Sequence, residues 1–273
     1  MKHPACVNGH HRALPGAWEH DGHEHIAPPR RTRSRDERPQ PVTGTPTRRL
    51  LLSTLVVLTL ISGLVDAVSY LGLGHVFTAN MTGNIVVLGF AAAGAAGFSV
   101  TASLTSLGAF LLGAACAGRA ATMVRDRERL LMLAMTVEVI FVAGAAVVAF
   151  LTATVSVGWP RYTVIAVLAF AMGVRNATIR RLAVPDMTTT VLTMTLTGLA
   201  ADSSLAGGDN KGAGRRTASV AAMLAGAVAG GAMYLHQGAG LPLLVTALIV
   251  AGALVFLWRA GESPRPDAAA SGA

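Results

Sequence analysis

Apolar residues run through this chain in long blocks rather than in the short alternations of a soluble domain. The blocks cover approximately residues 50–72, 84–97, 99–121, 130–152, 161–182, 189–201, 217–236 and 240–259. A helix rises about 1.5 Å per residue and a bilayer's hydrocarbon core is ~30 Å thick, so about 20 apolar residues cross it. Most of the blocks are long enough. Blocks 84–97 and 189–201 reach only about 20 Å and fall short. Both follow a polar turn, Asn80-Met81-Thr82 before the first and Asp186-Met187-Thr188 before the second. The pattern predicts an all-α integral membrane protein.

Composition points the same way. The chain has 273 residues, 52% hydrophobic and only 13% charged, where a soluble domain carries about 25% charged residues. Cys6 and Cys116 lie in a polar tail and an apolar helix, so neither a disulfide framework nor a paired-cysteine metal motif is indicated. Residues 1–48 are polar and Pro-rich, do not begin as a secretory signal peptide, and are expected to be disordered. The same is expected of 261–273, leaving 49–260 as the transmembrane domain. The tail carries His3, His10, His11, His20, His23 and His25, with Glu19, Asp21 and Glu24 among them. Such clusters can hold a divalent metal. The spacing is not that of a rigid site, so a solvated tail is the preferred reading and no metal or cofactor is assigned. Arg30, Arg31, Arg33, Arg35 and Arg38 could touch nucleic acid or anionic lipid. They read better as a topology signal holding the N-terminus in the cytoplasm, without a nucleic-acid partner.

The arginines decide how the blocks are counted. If all eight crossed, Arg125, Arg127, Arg129, Arg180 and Arg181 would fall outside, inverting the positive-inside rule. If the two short blocks enter and leave on one side, six spans remain. Those arginines then join Lys211, Arg215, Arg216, Arg259 and Arg265 in the cytoplasm, and Arg161 alone stays outside. Both termini are then cytoplasmic, in the cell (inner) membrane.

Six spans make two halves of three, about 50–152 and 160–259, each with a short re-entrant or broken-helix segment. An odd number of spans per half makes the repeats inverted. "GLVDA" (63–67) aligns with "GVRNA" (173–177), matching Gly63 with Gly173 and Asp66 with Asn176, and "NMT" (80–82) aligns with "DMT" (186–188). Non-helical backbone at membrane depth is tolerated only where protein covers it or water lines it. Asn80, Thr82 and Asn84 can cap the first short helix, and Asp186 and Thr188 the second. Two inward-pointing helix N-termini would suit a polar or anionic ligand near the midplane. The competing reading makes them caps of interfacial loops.

Three ionisable residues lie deep in the apolar blocks: Asp66, Glu138 and Arg175. Intramembrane charge is costly, so function is the default expectation for each. A structural alternative is an internal ion pair, for example Asp66 with Arg175. The candidate solute or ion pathway is therefore Asp66, Asn80, Thr82, Asn84, Glu138, Arg175, Asn176, Asp186 and Thr188. Asp66 is the favoured functional carboxylate, with Asn80 and Asp186 lining its cavity. His75 and His236 fall near outer ends and read as interfacial. Small residues in "GAVAG" (226–230) and "GAFLLGAACAG" (108–118) allow close helix approach.

The stretch "GLVDAVSYLGLGHVFTANMTGN" (63–84) resembles the signature of the YoaK family of bacterial membrane proteins, also called domain of unknown function 1275. The likeness is strongest at "VDAVSYL" and "FTANMTGN", and the layout matches over about 47–262. The resemblance implies an inner-membrane location and a fold, and no substrate. Function is expected to be that of a small-molecule transporter or permease, with Asp66 or Glu138 able to couple protons. The alternatives are a passive channel for a polar or anionic solute, or a membrane enzyme or scaffold. The chain has no HExxH, nucleophile elbow or phosphate loop, so it is expected not to be an enzyme. The expected partners are the lipid bilayer, an unknown small-molecule substrate and, as a homo-oligomer, further copies of the chain.

Overall fold

The computed structural model describes residues 45–124, 126–152, 157–182 and 192–262, with side chains from Leu52 to Ala260. The His- and Arg-rich part of the N-terminal tail, Arg125, the Asp186-Met187-Thr188 turn and Arg265 lie outside the described residues. Among those described the fold is all-helical. It runs α1 (Thr45–Gly72), α2 (Met81–Ala92), α3 (Val100–Met123), α4 (Arg127–Leu151), α5 (Gly158–Leu182), α6 (Leu192–Ala201), α7 (Ala213–Gln237) and α8 (Gly240–Glu262), with a 3₁₀ turn at Ser204–Ala206.

Six of these helices are long and apolar enough to cross a membrane: α1 over Leu52–Gly72, then α3, α4, α5, α7 and α8. The chain is a multi-pass membrane protein. The short α2 and α6 have 12 and 10 residues. Helix α1 begins inside the expected disordered tail, because Pro46 fits the first turn of a helix and helical structure does not stop at the edge of the apolar block. Helix α8 likewise runs two residues into the expected C-terminal tail, to Glu262.

Side-chain contacts give the helix directions. Gly226 and Gly230 meet Leu60 and Leu64, while Tyr234 meets Gly72, so α1 and α7 run parallel. Ser62 meets Arg175 and Leu73 meets Arg161, so α1 and α5 run antiparallel. Glu138 pairs with Arg175, whereas Val148 shares a cavity with Val164, so α4 opposes α5. Phe110 packs with Ala171 and Met172, and Ala117 with Val174, so α3 follows α5. The Phe150 ring covers Gly240, bringing the end of α4 to the start of α8. Helices α1, α4 and α7 therefore point one way, and α3, α5 and α8 the other.

Helices α1 and α5 are the most buried spans, flanked by α7 and α3 respectively. Both flanking contacts are backbone-close. A Cβ on Gly63 would lie 2.1 Å from Met223 O of α7, and one on Gly173 would lie 2.1 Å from Phe110 O of α3. Reciprocally, Gly226 sits on Leu60 O and Gly113 on Phe170 O. In lipid, where helices gain little from burying apolar surface against each other, such close approach is what packing has to offer. The apolar core follows α1 through Leu55, Leu58, Ile61, Leu64, Val65 and Val68.

Candidate functional site

The site is built around the link between α1 and α2. Helix α1 ends at Gly72, with Leu73 N donating to Ser69 O and His75 N to Tyr70 O. Gly74 (φ +87°) and His75 (φ 59°) then adopt consecutive left-handed conformations, which reverse the chain. A side chain at Gly74 would collide with the Arg161 guanidinium, whose Nε donates to Leu73 O at 2.8 Å. The link folds back along α1 until Thr78, Ala79 and Asn80 reach Asp66. Asp66 lies six residues before the helix end, about 9 Å along its axis.

The polar groups of this non-helical stretch meet side chains at buried and half-buried positions. Asp66 Oδ1 accepts from Thr78 N at 2.9 Å and Ala79 N at 2.8 Å, and Oδ2 accepts from Asn80 Nδ2 at 2.6 Å. Asn84 of α2 acts as a surrogate backbone for Phe77, accepting from its N at 2.8 Å and donating to its O at 2.6 Å. Ser106 of α3 donates to the same carbonyl at 2.6 Å. Asn176 of α5 reaches Ala79 O at 3.4 Å. Each such group left bare in hydrocarbon would cost several kcal/mol. A Cβ at Gly83 would lie 2.6 Å from the Phe77 ring, which would have to shift to admit it.

This corrects the expected capping. Asn80 does occupy the N-cap position of α2 but makes no side-chain cap bond, because its amide is held by Asp66. Asn84 is committed to Phe77, and Thr82 is exposed, away from the buried groups. Asp186 and Thr188 lie outside the described residues.

The second part of the site is one turn deeper on α1. Arg175 Nη1 donates to Glu138 Oε1 at 2.7 Å and Nη2 to Ser62 Oγ at 2.6 Å. Ser62 in turn donates to Leu58 O at 3.1 Å. Arg175 and Glu138 are both fully buried, joining α5, α4 and α1. The Asp66–Arg175 ion pair, named above as the structural alternative, is not formed; Arg175 pairs with Glu138 instead. Arg175 stands level with Ser62, and N–H groups of the link already engage both oxygens of Asp66. Asp66 and Ser62 are four residues apart, about 6 Å along one helix face, so the two parts make one polar track.

That track is incompletely satisfied. Among the described residues, the buried side-chain atoms without a hydrogen-bond partner are Glu138 Oε2, Arg175 Nε, Thr78 Oγ1, Thr178 Oγ1 and Ser103 Oγ. Thr178 follows Arg175 by one turn of α5, and Thr78 adjoins the Asp66 clamp. Ser62, Thr78, Ser106 and Thr178 were not among the expected residues. Two had a signal in sequence: Ser62 precedes Asp66 by four positions and Thr178 follows Arg175 by three, so each shares a helix face with a buried charge. Ser106 had none, since its role depends on where the link lands. A cavity of about 290 Å³ between α4 and α5 has an apolar lining that includes Phe141, Val148, Val164 and Val167. It suits lipid chains rather than a polar solute. Among the described residues no group of His, Cys, Asp and Glu is arranged to hold a metal ion.

Comparison with known proteins completes the picture. Residues 54–256 match the family model described as "Protein of unknown function (DUF1275)". The chain belongs to the DUF1275 family. It is 36% identical over 167 residues to the UPF0700 transmembrane protein YoaK of Bacillus subtilis (strain 168), covering 60% of this chain and 70% of that protein. No solved structure matches the chain. The DUF1275 match spans Asp66, the link, Glu138 and Arg175, and excludes the N-terminal tail.

Proposed function

We propose that this DUF1275 protein is a transporter, a permease for a small polar solute, whose pathway passes the Asp66–Arg175 track. The observation that carries this reading is the Arg175–Glu138 pair. It is fully buried within membrane-spanning helices, yet Nε and Oε2 lack partners. A buried pair that served only packing would be expected to satisfy its remaining valences, since desolvation otherwise outweighs the attraction. Unfilled donors and acceptors in a membrane interior are what a polar solute needs as it sheds water.

The architecture that fits is two inverted repeats, α1–α4 and α5–α8, each with a re-entrant segment. Exchanging α1 for α5 and α7 for α3 converts the Gly63–Met223 contact into Gly173–Phe110, and Gly226–Leu60 into Gly113–Phe170. Helices α1 and α5 run antiparallel, as inversion requires. The fold-back of residues 73–80 followed by the short α2 supports a re-entrant first segment. Asp66 and Asn176 then occupy matching positions. Both termini are assigned to the cytoplasm of the cell membrane, on the side where the basic residues gather. A passive channel has less support, because the charged cluster is sealed between α1, α4 and α5 in this conformation.

The test begins with thermal-shift screening of purified protein against amino acids, carboxylates, sugars and nucleobases. Solutes that stabilise it are then followed in proteoliposomes. The expected result is saturable counterflow of at least one solute, reduced tenfold or more by Arg175→Gln. Flux that neither saturates nor responds to Arg175→Gln would replace this reading with a channel or a scaffold.

A further inference from the structure

We propose that Glu138 Oε2 is a proton-binding site, the coupling-ion site of the transport cycle suggested above. Hydrogen bonding and charge balance carry this inference. Asp66, Glu138 and Arg175 lie within one track, 4%, 0% and 0% exposed. Two carboxylates and one guanidinium would leave an uncompensated negative charge in a site covered by protein and hydrocarbon. Such a group neutralises rather than remain charged.

The contacts decide which carboxyl takes the proton. Every hydrogen bond Asp66 makes through its side chain comes from an N–H: Thr78 N, Ala79 N and Asn80 Nδ2. A proton on Asp66 would face donors. Glu138 accepts at Oε1 from Arg175, and its Oε2 meets neither donor nor acceptor. The proton therefore belongs on Oε2. No other charge competes for it. Helix α5 contributes Arg175 and α1 contributes Asp66. Helix α8 has no titratable side chain before Arg259, and the only one on α3 that is charged, Arg119, is exposed near its C-terminal end. The proton arrives from water and returns to water, and Glu138 alternates between acid and carboxylate. As a carboxylate it engages Arg175 fully. As an acid it loosens its hold, leaving the guanidinium for a solute acceptor group.

Infrared spectroscopy of the full chain in lipid tests this. At near-neutral pH, exposed carboxyls are ionised. The expected result is a protonated-carboxyl carbonyl band that shifts down on side-chain ¹³C-glutamate labelling, stays put on ¹³C-aspartate labelling, and moves in D₂O. Glu138→Gln should lose the band and Asp66→Asn should keep it. The labelling arm uses the native chain, so a variant that fails to fold does not leave the question open. A band that follows aspartate, or no band, overturns the proposal. Absence of solute flux with the band assigned to glutamate would instead remove the transport reading and leave the proton site standing.

Discussion

At the residue scale, Asp66 shows how one carboxylate can replace a stretch of secondary structure. Two adjacent backbone amides and one side-chain amide converge on it, and hydrogen bonds to a charged group contribute about 1.5–3 kcal/mol each. Asp66→Asn would keep one acceptor but turn its own NH₂ toward the NH₂ of Asn80. It is expected to destabilise the protein by about 2 kcal/mol. Adding Asn80→Asp restores a donor facing an acceptor, with the carboxylate now on the link. The double variant should recover part of the loss, read as the unfolding midpoint in detergent. A double variant less stable than the sum of the singles would mean that the Asp66–Asn80 contact is incidental. Both residues were legible in the sequence, Asp66 as a charge inside an apolar block and Asn80 in the polar turn before the next one. Their contact was not, because it depends on the reversal at Gly74 and His75. The choice of Glu138 over Asp66 as partner of Arg175 was hidden for the same reason: the link had already occupied Asp66.

At the element scale, the glycine crossings separate residues that look alike in sequence. "GAFLLGAACAG" reads uniformly as a small-residue stripe, yet Gly113 alone presses on the α5 backbone while Gly108 and Gly118 meet nothing within 4 Å. Period and composition predict that close packing will occur, but the rotation of a helix about its axis depends on its neighbours. Gly113→Ala and Gly173→Ala each place a methyl group against a backbone carbonyl that cannot yield, and should cost about 1–3 kcal/mol. Gly108→Ala should be neutral, or stabilising by up to about 1 kcal/mol through helix propensity. If the inverted-repeat reading holds, Gly63→Ala on α1 should match Gly173→Ala on α5 within a factor of about two, the ordinary context dependence of packing. Parallel melting curves of the four variants give the comparison. A neutral Gly63→Ala beside a damaging Gly173→Ala would break the equivalence of the halves.

Across the whole molecule, helix direction and the distribution of charge coincide. The N-terminal ends of α1, α4 and α7 and the C-terminal ends of α3, α5 and α8 share one face, as the contacts among these helices require. That face carries Arg119, Arg127, Arg129, Arg180, Arg181, Lys211, Arg215, Arg216 and Arg259. The opposite face has Arg161, already engaged with Leu73 O. Lys and Arg near span ends resist translocation, which is why the proposed topology puts the basic face in the cytoplasm. The six long spans and two short helices were legible in the sequence because length and charge bias need no knowledge of packing. A reporter fused after residue 126 or after residue 212 should therefore report cytoplasm, and one fused near residue 157 should report the exterior. The fusion after 126 is the decisive one. If α2 crossed the membrane, the α3–α4 connection would lie outside and its arginines would have been translocated. An exterior signal there would dismantle the six-span arrangement and, with it, the inverted relation of the halves.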